Sequence, residues 1–487
     1  MRSKKLAGVL VTFLVGGALL PGVSKAQDEG PDGEVVALLQ ELIRVNTSNP
    51  PGNEAQIAEL LKTRLAPLGF EVEIVPTPAP GKAHFLARLR AQNPTEKPLL
   101  LAGHEDVVGV ERDLWTVDPF AGLIRGGLIY GRGAMDFKGG LAAFTVAASR
   151  IARAKVPLKR DIILLAEADE EGGDYGTGWL AKTAWPKIDA GVSLNEGGWV
   201  FEDGAGTPRL MGVTTIDKNS LSVTLKTRGN STHSSRPLPD SALAHLTRAL
   251  NRIERYEPAT PRPGAVTRRY LRTWANRFGG RTARELRAFL AAKTAKARRR
   301  TARPLTRGSF GELFNGMLRT IYVPTIAEGG FRSNVLPGSA EATVNIRLLP
   351  GARPRPAIRE LERVIADKRV KVAPISPTGE TPAETLKRFD ERAKQRPSRI
   401  DTELYRVLAR EGKREWPTVG VAPALFEAGT DAVPWRERGI PVYGVYPYPV
   451  SRAELADMHG NDERISIRRL EEGTDMLTRV LRGAAAR

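Results

Sequence analysis

The chain has 487 residues, a formal net charge of +19 and no cysteine, with 41% hydrophobic and 26% charged residues, as in an ordinary folded protein. This length exceeds what one compact core holds, so we expect two domains. The absence of cysteine excludes disulfides, thiolate metal ligands and a cysteine nucleophile, so any metal has to be held by histidine and carboxylate side chains.

The first 26 residues have the pattern of an export signal. "MRSKK" is a basic start, "LAGVLVTFLVGGALL" is an apolar run, and "SKA" is a small-residue cleavage site before Gln27. The apolar run is shorter than the ~20 residues that span a membrane. We therefore expect cleavage after Ala26, a periplasmic or secreted protein and no integral membrane segment afterwards; an uncleaved anchor is the alternative. The segment has four basic and no acidic residues, which leaves +15 on the remaining chain.

Helix-like and strand-like segments alternate between residues 34 and 200. "EVVALLQELIRV" and "EAQIAELLKTRLAPLG" have helical periodicity, with Gly69 in the position of a helix-ending glycine. The apolar runs in "KPLLLAGHEDVV", "DIILLAEAD" and "AGVSLNEGG" predict buried strands. Residues 27–214 therefore predict the first part of an α/β domain with a mostly parallel sheet. His104, Glu170 and Glu196 fall at carboxyl strand ends, where ligand sites of such sheets gather.

The pattern changes near residue 215. "NSLSVTLKTRG" and "SAEATVNIRLLPG" alternate apolar and polar residues, as antiparallel strands with one buried face do. With the helical segments "DSALAHLTRALNRIERY" and "RPAIRELERVIAD" and the strand "RVKVAPIS", residues 215–376 predict a small inserted α+β domain. A linker rich in proline and charge follows at 377–398. "LYRVLAREG" and "GIPVYGVYP" then return to α/β character, so 377–487 complete the larger domain.

Much of the positive charge lies in residues 281–307, "RTARELRAFLAAKTAKARRRTARPLTR", whose composition predicts an exposed basic helix. A basic face can bind nucleic acid or another acidic surface, which makes a basic-surface binding protein the non-enzymatic alternative. No known nucleic-acid module is recognisable in this stretch. We therefore favour a solvated insertion and expect no nucleic-acid partner.

Two strand ends have paired polar residues. "GHEDVV" places His104 and Asp106 two positions apart, hence on one side of the strand, where Asp106 can orient a metal-binding His104. "ADEEGG" places Glu170 and Glu171 side by side at the next strand end. Adjacent side chains point in different directions, so these carboxylates are expected to have different roles. A lone His-x-Asp pair can also be incidental.

Three further motifs add single candidates. "YGRGAMDFKGG" surrounds Asp136 with glycines, and it is not a dinucleotide fingerprint, because Asp136 replaces the third glycine. "LNEGG" presents Glu196, and "MHGNDERI" presents His459. An ordinary turn or a surface position is the alternative for each of them. Two histidines, one aspartate and two glutamates suit a catalytic zinc site, and five ligands serve two ions if the aspartate bridges them. The spare glutamate is then available as a general base.

The chain resembles the zinc aminoacylase/carboxypeptidase family, which includes acetylornithine deacetylase, succinyl-diaminopimelate desuccinylase, aminoacylase-1 and carboxypeptidase S. Eight motifs have the family's order: "GHEDVV", "YGRGAMDFKGG", "ADEEGG", "NEGG", "GNSTHSSRP", "GGFRSNVLPGSAEATVNIRLLPG", "AGTDAV" and "HGNDERI". The similarity is greatest to the carboxypeptidase S-like branch. Two positions depart from the family pattern: Glu105 stands where a small residue is common, and Asp462 where Glu is commoner.

The resemblance implies a role for each of the candidate metal residues. His104, Asp136 and Glu196 would hold one zinc ion, and Asp136, Glu171 and His459 the other, with cobalt or manganese as possible substitutes. In the same scheme, Asp106 orients His104. Glu170 is the base that deprotonates water and later protonates the leaving nitrogen.

The resemblance also implies that the inserted domain is a lid and a dimerisation domain. His233 would stabilise the oxyanion, across the interface of a homodimer, and Asn334, Arg347 and Thr430 would bind substrate. The planar fork of Arg347 suits a substrate carboxylate; pairing with a neighbouring acid is the alternative. The implied function is that of an exported di-zinc hydrolase, which cleaves an amide bond next to a free carboxylate in an N-acyl amino acid or a short peptide. A dipeptidase of the same family is the alternative.

Overall fold

The structure is a computed structural model that describes residues 33–376 and 379–487. The predicted signal peptide at 1–26 therefore lies outside the described residues. Among the helices that are described, none combines the length and the apolarity needed to cross a membrane.

Nineteen strands form within the described residues. In chain order they are β1 (Glu71–Pro76), β2 (Ala83–Leu89), β3 (Leu99–His104), β4 (Leu123–Arg125), β5 (Leu128–Tyr130), β6 (Ile162–Glu167), β7 (Val192–Asn195), β8 (Val200–Glu202), β9 (Pro208–Asp217), β10 (Asn219–Arg228), β11 (Thr232–His233), β12 (Ile321–Gly329), β13 (Val335–Leu336), β14 (Ser339–Leu348), β15 (Lys371–Pro374), β16 (Gly420–Phe426), β17 (Val442–Gly444), β18 (Pro449–Val450) and β19 (Arg464–Ser466).

Sixteen α-helices accompany them over the same described ranges. They are α1 (Glu34–Arg44), α2 (Glu54–Leu65), α3 (Lys138–Arg153), α4 (Thr177–Thr183), α5 (Trp185–Ile188), α6 (Ala242–Glu254), α7 (Ala265–Arg277), α8 (Gly280–Ala291), α9 (Ala295–Thr306), α10 (Gly311–Leu318), α11 (Pro354–Ile365), α12 (Pro382–Arg392), α13 (Glu403–Glu415), α14 (Val433–Glu437), α15 (Arg452–Asp457) and α16 (Ile467–Ala485). Short 3₁₀ turns lie at Ala66–Leu68 and Arg112–Leu114. Gly69 ends the first of these with a φ of 87°, which is the helix-ending role predicted for it.

The larger sheet has ten strands in the order β1-β2-β6-β3-β7-β17-β9-β8-β18, and β16 pairs with β9. Its centre, from β6 through β3 and β7 to β17, is parallel, whereas β1 and β2 are antiparallel additions at one edge. Successive residues of β3 face opposite hydrophobic cores, with Leu99 and Leu101 in one core and Leu100 and Ala102 in the other. A strand buried on both faces has to be continuously apolar, which explains the runs in the sequence. The predicted mostly parallel α/β fold is thereby confirmed.

A separate four-stranded antiparallel sheet has the order β12-β14-β10-β15. The inward residues of β10 and β14, such as Leu221 and Val344, pack with α6 and α11 around their own core. Helix α12 adds Phe389 to this core. The segment 377–398, which the sequence predicted to be a linker, therefore contains a helix that packs on the small sheet. We call the small sheet with α6, α11 and α12 the small domain.

The basic stretch differs from the prediction of one exposed helix. It forms two helices, α8 and α9, which pack with α7 and α10 against the core of the larger sheet and not against the small domain. Leu286, Phe289 and Leu305 are buried in that core. The apolar residues recur at helical spacing within a very basic sequence, so one face of each helix is buried while the cations remain on the other.

Candidate active site

The site forms at the carboxyl ends of three neighbouring parallel strands. Strands β6, β3 and β7 lie side by side, so the residues that end or follow them meet at one edge of the sheet. His104 ends β3, Glu170 and Glu171 follow β6, and Glu196 follows β7. Asp136 comes from the turn before α3, and His459 from the loop after α15.

Asp136 lies between the two histidines. Nε2 of His104 lies 3.2 Å from Oδ1 of Asp136 and 3.3 Å from Oε2 of Glu196. Nε2 of His459 lies 3.0 Å from Oδ2 of Asp136 and 3.0 Å from Oε1 of Glu171. The structure thus brings together all five residues predicted as metal ligands, in two groups of three that share one carboxylate. Each oxygen of Asp136 faces a different histidine.

Asp106 contacts both the His104 ring and the loop that contains Glu170 and Glu171. Nδ1 of His104 lies 2.9 Å from the Asp106 backbone oxygen and 3.6 Å from its Oδ1. The Asp106 carboxylate accepts hydrogen bonds from the backbone N–H groups of Glu170, at 3.1 Å, and Glu171, at 2.9 Å. Asn49 donates a further hydrogen bond to Oδ2 of Asp106. Asp106 therefore fixes the loop with the paired glutamates as well as the His104 ring.

Glu463 and Arg132 join the loops of Asp136 and His459, a role that no sequence motif indicated. The buried Glu463 carboxylate accepts hydrogen bonds from the backbone N–H groups of Met135, at 2.8 Å, and Asp136, at 3.1 Å, and from Nη1 of Arg132 at 2.7 Å. Arg132 in turn donates to the Gly460 carbonyl at 2.8 Å. "HGNDERI" and "YGRGAMD" contain these partners, but neither motif shows that they pair.

Tyr446 is a second residue that sequence reasoning missed. Its hydroxyl donates to Oδ1 of Asp136 at 2.8 Å and lies 3.5 Å from Oε2 of Glu196. The ring stacks on Trp199, with 4.2 Å between the ring centroids. The sequence stretch "GIPVYGVYP" signals a buried strand but not which tyrosine reaches the carboxylates. Tyr446 therefore orients the shared carboxylate from the apolar side.

The glycines around Asp136 allow close packing at the start of α3. A Cβ atom on Gly140 would lie 2.2 Å from the Phe137 ring, and one on Gly103 would lie 2.6 Å from the same ring. Real Cβ atoms do not approach so closely, so both positions favour glycine. Gly140 and Gly103 therefore let the backbone of α3 and β3 pack closely against the Phe137 ring beside His104.

Burial and mutual charge set the protonation of these groups. Burial lowers the pKa of both histidines, but the neighbouring carboxylates raise it by more. Asp106, Asp136 and Glu196 raise the pKa of His104 well above its usual value. Asp136 and Glu171 raise the pKa of His459 to about 10. Burial also opposes ionisation of Asp136, yet hydrogen bonds from the histidines lower its pKa. The carboxylates thus require positive charge at the centre of the site.

The pKa values of two further carboxyl groups, Glu170 and Glu196, are raised. Burial, followed by the negative charge of Glu196, raises the pKa of Glu170 well above its ordinary value. Burial likewise raises the pKa of Glu196 to about 7 against the opposing hydrogen bond from His104. A buried carboxyl group with a raised pKa, such as that of Glu170, binds a proton readily, which suits general acid–base work.

The five residues fit a pair of zinc ions by donor type and spacing. Imidazole nitrogens and carboxylate oxygens are the ligands of catalytic zinc sites. Donors at about 2.0–2.2 Å from a tetrahedral ion lie about 3.3–3.6 Å from one another, close to the separations of 3.0–3.3 Å between the ligand atoms in each group. The ligand atoms of His104, Asp136 and Glu171 also lie within 4.8 Å of one another.

A cavity of about 870 Å³ opens beside Glu170 between the two domains. Its walls include Thr430 of the larger domain and Ser220, Ser222 and Arg392 of the small domain. The cavity is therefore large enough for a substrate that contacts Glu170 and both domains.

Two of the predicted substrate residues lie near this cleft. Arg347 lies opposite Ser220, a residue of the cavity wall, in the pairing of β14 with β10. Burial lowers the pKa of Arg347, and the negative charge of Glu170 opposes that shift. In the part of the chain that the structure describes, the Arg347 side chain has no hydrogen bond or ion pair, which argues against pairing with a neighbouring acid. The Thr430 hydroxyl, in contrast, donates to Oδ2 of Asp217 at 2.7 Å. Thr430 is therefore engaged by the protein itself.

His233 and Asn334 lie elsewhere. Both are exposed, on or next to the two-stranded sheet of β11 and β13, and no hydrogen bond or ion pair joins them to the metal residues among the residues described. The Ser235 backbone N–H donates to Nδ1 of His233 at 3.2 Å. An acceptor Nδ1 leaves the proton on Nε2, so His233 presents an N–H donor to its surroundings.

Comparison with known proteins gives relatives over most of the chain. The N-fatty-acyl-amino acid synthase/hydrolase of Homo sapiens is 26% identical over 82% of this chain and 76% of its own length. A probable carboxypeptidase S-like protein of Dictyostelium discoideum is 29% identical over 78% of this chain and 70% of its own length.

A solved structure shows the same fold. The M20 family metallo-carboxypeptidase of Sulfolobus solfataricus superposes with a TM-score of 0.68 at 18% identity, over 93% of this chain and 99% of its own. The sequence model of "Peptidase family M20/M25/M40" matches residues 100–483, a range that contains every candidate metal residue. The resemblance found in the ordered motifs is thereby confirmed: the chain belongs to peptidase family M20/M25/M40.

Proposed function

We propose that the protein is an exported di-zinc hydrolase that cleaves an amide bond next to a free carboxylate, as an N-acyl amino acid hydrolase or a carboxypeptidase. The observation that carries this proposal is the Asp136 carboxylate, whose two oxygens face His104 and His459 separately. Glu196 and Glu171 complete one group on each side. Such a shared carboxylate is what two neighbouring ions require.

His104, Asp136 and Glu196 would hold one zinc ion, and Asp136, Glu171 and His459 the other. When bound, the ions supply Lewis acidity to the amide carbonyl and to the attacking water. Cobalt or manganese ions accept the same nitrogen and oxygen donors.

Glu170 moves the proton in this proposal. Its carboxylate lines the cleft and takes a proton from water, and the resulting carboxylic acid then protonates the leaving nitrogen. The raised pKa of Glu170 favours holding the proton between these two steps. Glu171, whose Oε1 lies 3.0 Å from Nε2 of His459, faces the metal residues and does not take part in the transfer.

The substrate carboxylate is assigned to Arg347. Its guanidinium is half-buried and forms no hydrogen bond or ion pair with any residue that the structure describes, so a bidentate pair with a carboxylate would satisfy it. The names of the human and Dictyostelium relatives, an N-fatty-acyl-amino acid hydrolase and a carboxypeptidase, both concern an amide next to an amino acid carboxylate. These names support the proposed substrate class.

A homodimer through the small domain would complete the site with His233. Five large apolar side chains on this domain or in the loops next to it are exposed: Leu238, Leu243, Val323, Ile326 and Phe331. Among the strands that the structure describes, β12 pairs only with β14, which leaves its other edge unpaired in this set. Export rests on the pattern of residues 1–26.

A matched substrate panel tests the proposal. Zinc-loaded mature protein is assayed with N-acyl amino acids, the same compounds with the carboxylate converted to an amide, and dipeptides. We expect hydrolysis of the free acids and a large loss of kcat/KM for the amides in wild type. That difference should shrink in Arg347→Gln, because its carboxylate partner is gone. Preference for dipeptides with a free amino group would instead indicate a dipeptidase, and no hydrolysis of any compound would refute the proposal.

A further inference from the structure

The outer face of the helices α7, α8 and α9 has an unusual charge. Residues 262–307 contain fifteen Lys and Arg residues and a single acid, Glu285. Thirteen of the fifteen basic side chains are exposed; only Arg268 and Arg298 are partly covered. This excess of +14 nearly equals the +15 of the chain after residue 26, so the remaining surface is close to neutral. We call the exposed cations of residues 262–307 the basic face.

The fold keeps these cations unpaired. Within the residues that the structure describes, only Arg281 of the basic face is in an ion pair, with Glu285. Arg287 and Arg298 donate to the backbone carbonyls of Ala275 and Lys293, which carry no full charge. Side chains that repel one another without acidic neighbours lower stability unless an anionic partner binds them.

The apolar residues of these helices are not available to a partner. Tyr270, Trp274, Leu286 and Phe289 are buried against the core of the larger sheet. No large hydrophobic side chain of residues 262–307 is exposed. The face therefore lacks both the aromatic platform on which single-stranded nucleic acid stacks and the apolar stripe that inserts a helix into a bilayer.

We propose that the basic face docks the protein on the anionic headgroups of a phospholipid bilayer, by electrostatic attraction and without insertion. The cations are spread over three helices and are not confined to one recognition helix or one groove, so they fit an extended anionic plane. Clusters of four to eight basic residues on a helix are enough to hold a protein at such a surface. Export, which the first 26 residues predict, would expose the face to a membrane surface. The inference does not depend on the proposed hydrolase activity.

The test uses five exposed cations of this face. Lys293, Lys296, Arg299, Arg300 and Arg303 are changed together to Gln, which preserves helix propensity. A matched control changes five exposed cations that are dispersed over the rest of the protein and lack ion pairs among the described residues: Arg44, Lys368, Lys371, Lys413 and Arg482. Both variants lose the same net charge. Circular dichroism and thermal melting verify that both are folded.

Binding of the mature protein is measured by co-sedimentation with vesicles of equal parts phosphatidylglycerol and phosphatidylcholine, and of phosphatidylcholine alone, at ~0.15 M salt. We expect wild type to bind only the anionic vesicles, and its binding to weaken as salt is added. The variant with five changes in the basic face should bind at least ~10-fold more weakly, while the control variant stays within ~3-fold of wild type. Absence of wild-type binding, or equal weakening in both variants, would overturn the proposal. Displacement from vesicles by a low concentration of duplex DNA or RNA would overturn it in favour of nucleic acid.

Discussion

The candidate metal residues and the small-domain residues differ in how the chain holds them. His104, Asp136 and Glu196 are buried, and hydrogen bonds with Asp106, Tyr446 and Glu463 fix their positions or their loops. His233 and Asn334 are exposed, on or next to the short ribbon in which β11 pairs with β13 and the Ser234 N–H donates to the Asn334 carbonyl. The first region is buried and held by hydrogen bonds to its side chains, whereas the second leaves its side chains exposed to solvent. This enzyme, a hydrolase of the M20 family, therefore has its candidate metal residues in a buried cluster and two of its candidate substrate residues on the surface.

The largest expected effect concerns the paired glutamates, Glu170 and Glu171. Glu170→Gln should lower kcat by ~10²–10⁴-fold, because it removes the general base, while both metals remain bound. Glu171→Gln should instead lose metal, since its carboxylate faces His459. Elemental analysis, kcat and circular dichroism on the two isosteric variants separate these outcomes. Equal metal contents with equal losses of kcat would show that the assigned roles are wrong.

The second prediction concerns the exposed His233. His233→Ala should lower kcat by ~10²–10³-fold, as expected for loss of one oxyanion donor, although it touches no metal residue. If the donor comes from the partner subunit, co-expression with Glu170→Ala should restore activity. About half of the dimers are then mixed, and each has one intact site, so about a quarter of wild-type activity returns by site counting.

The control for this mixing experiment is the oligomeric state. Sedimentation analysis of wild type and of both variants should show dimers. Mixed dimers without activity would mean that His233 does not act across the interface. A monomer in all samples would refute the dimer itself, together with the assignment of the exposed apolar residues to its interface.

The third prediction concerns Tyr446, which contacts the buried candidate metal residues. Tyr446→Phe keeps the ring stacked on Trp199 but removes the hydrogen bond to Asp136. Loss of such a supporting hydrogen bond typically lowers metal affinity ~10–100-fold. Tyr448→Phe is the matched control, because the buried Tyr448 hydroxyl donates to the Met135 carbonyl and not to a predicted ligand. Competition with a chelating dye measures both affinities; an equal decrease in the two variants would remove the special role of Tyr446.

Local patterns in the sequence were sufficient to predict the buried strands and the residues that end them. The alternation of apolar runs and helices implied a parallel sheet, and the ends of neighbouring parallel strands converge whatever the details of packing. His104, Glu171 and Glu196 can therefore be placed together from the amino-acid sequence alone. The ordered motifs added Asp136 and His459, which come from loops far apart in the chain.

Long-range side-chain pairing could not be predicted in the same way. Glu463 and Arg132 are separated by more than three hundred positions, and Tyr446 is one of several tyrosines in one stretch. Such contacts depend on how loops meet in three dimensions, which no local periodicity encodes. The basic stretch shows a related limit: its composition indicated an exposed helix, but Leu286, Phe289 and Leu305 bury one face in the larger core.

The smallest expected effect concerns Thr430, which lies at the boundary between the two regions. The resemblance assigned it to substrate binding, whereas in the structure its hydroxyl donates to the buried Asp217 carboxylate, which also pairs with Arg436. Thr430→Val keeps the shape of the side chain and removes that donor. A hydrogen bond to a charged group contributes about 1.5–3 kcal/mol, so the free energy of unfolding should fall by that order while KM stays unchanged. Thr430→Ser retains the hydroxyl and is the control. Urea denaturation and the KM for an N-acyl amino acid decide between the two roles. A raised KM with unchanged stability would show that the hydroxyl binds substrate. A hydroxyl that holds Asp217 stabilises the folded protein whether or not substrate is bound.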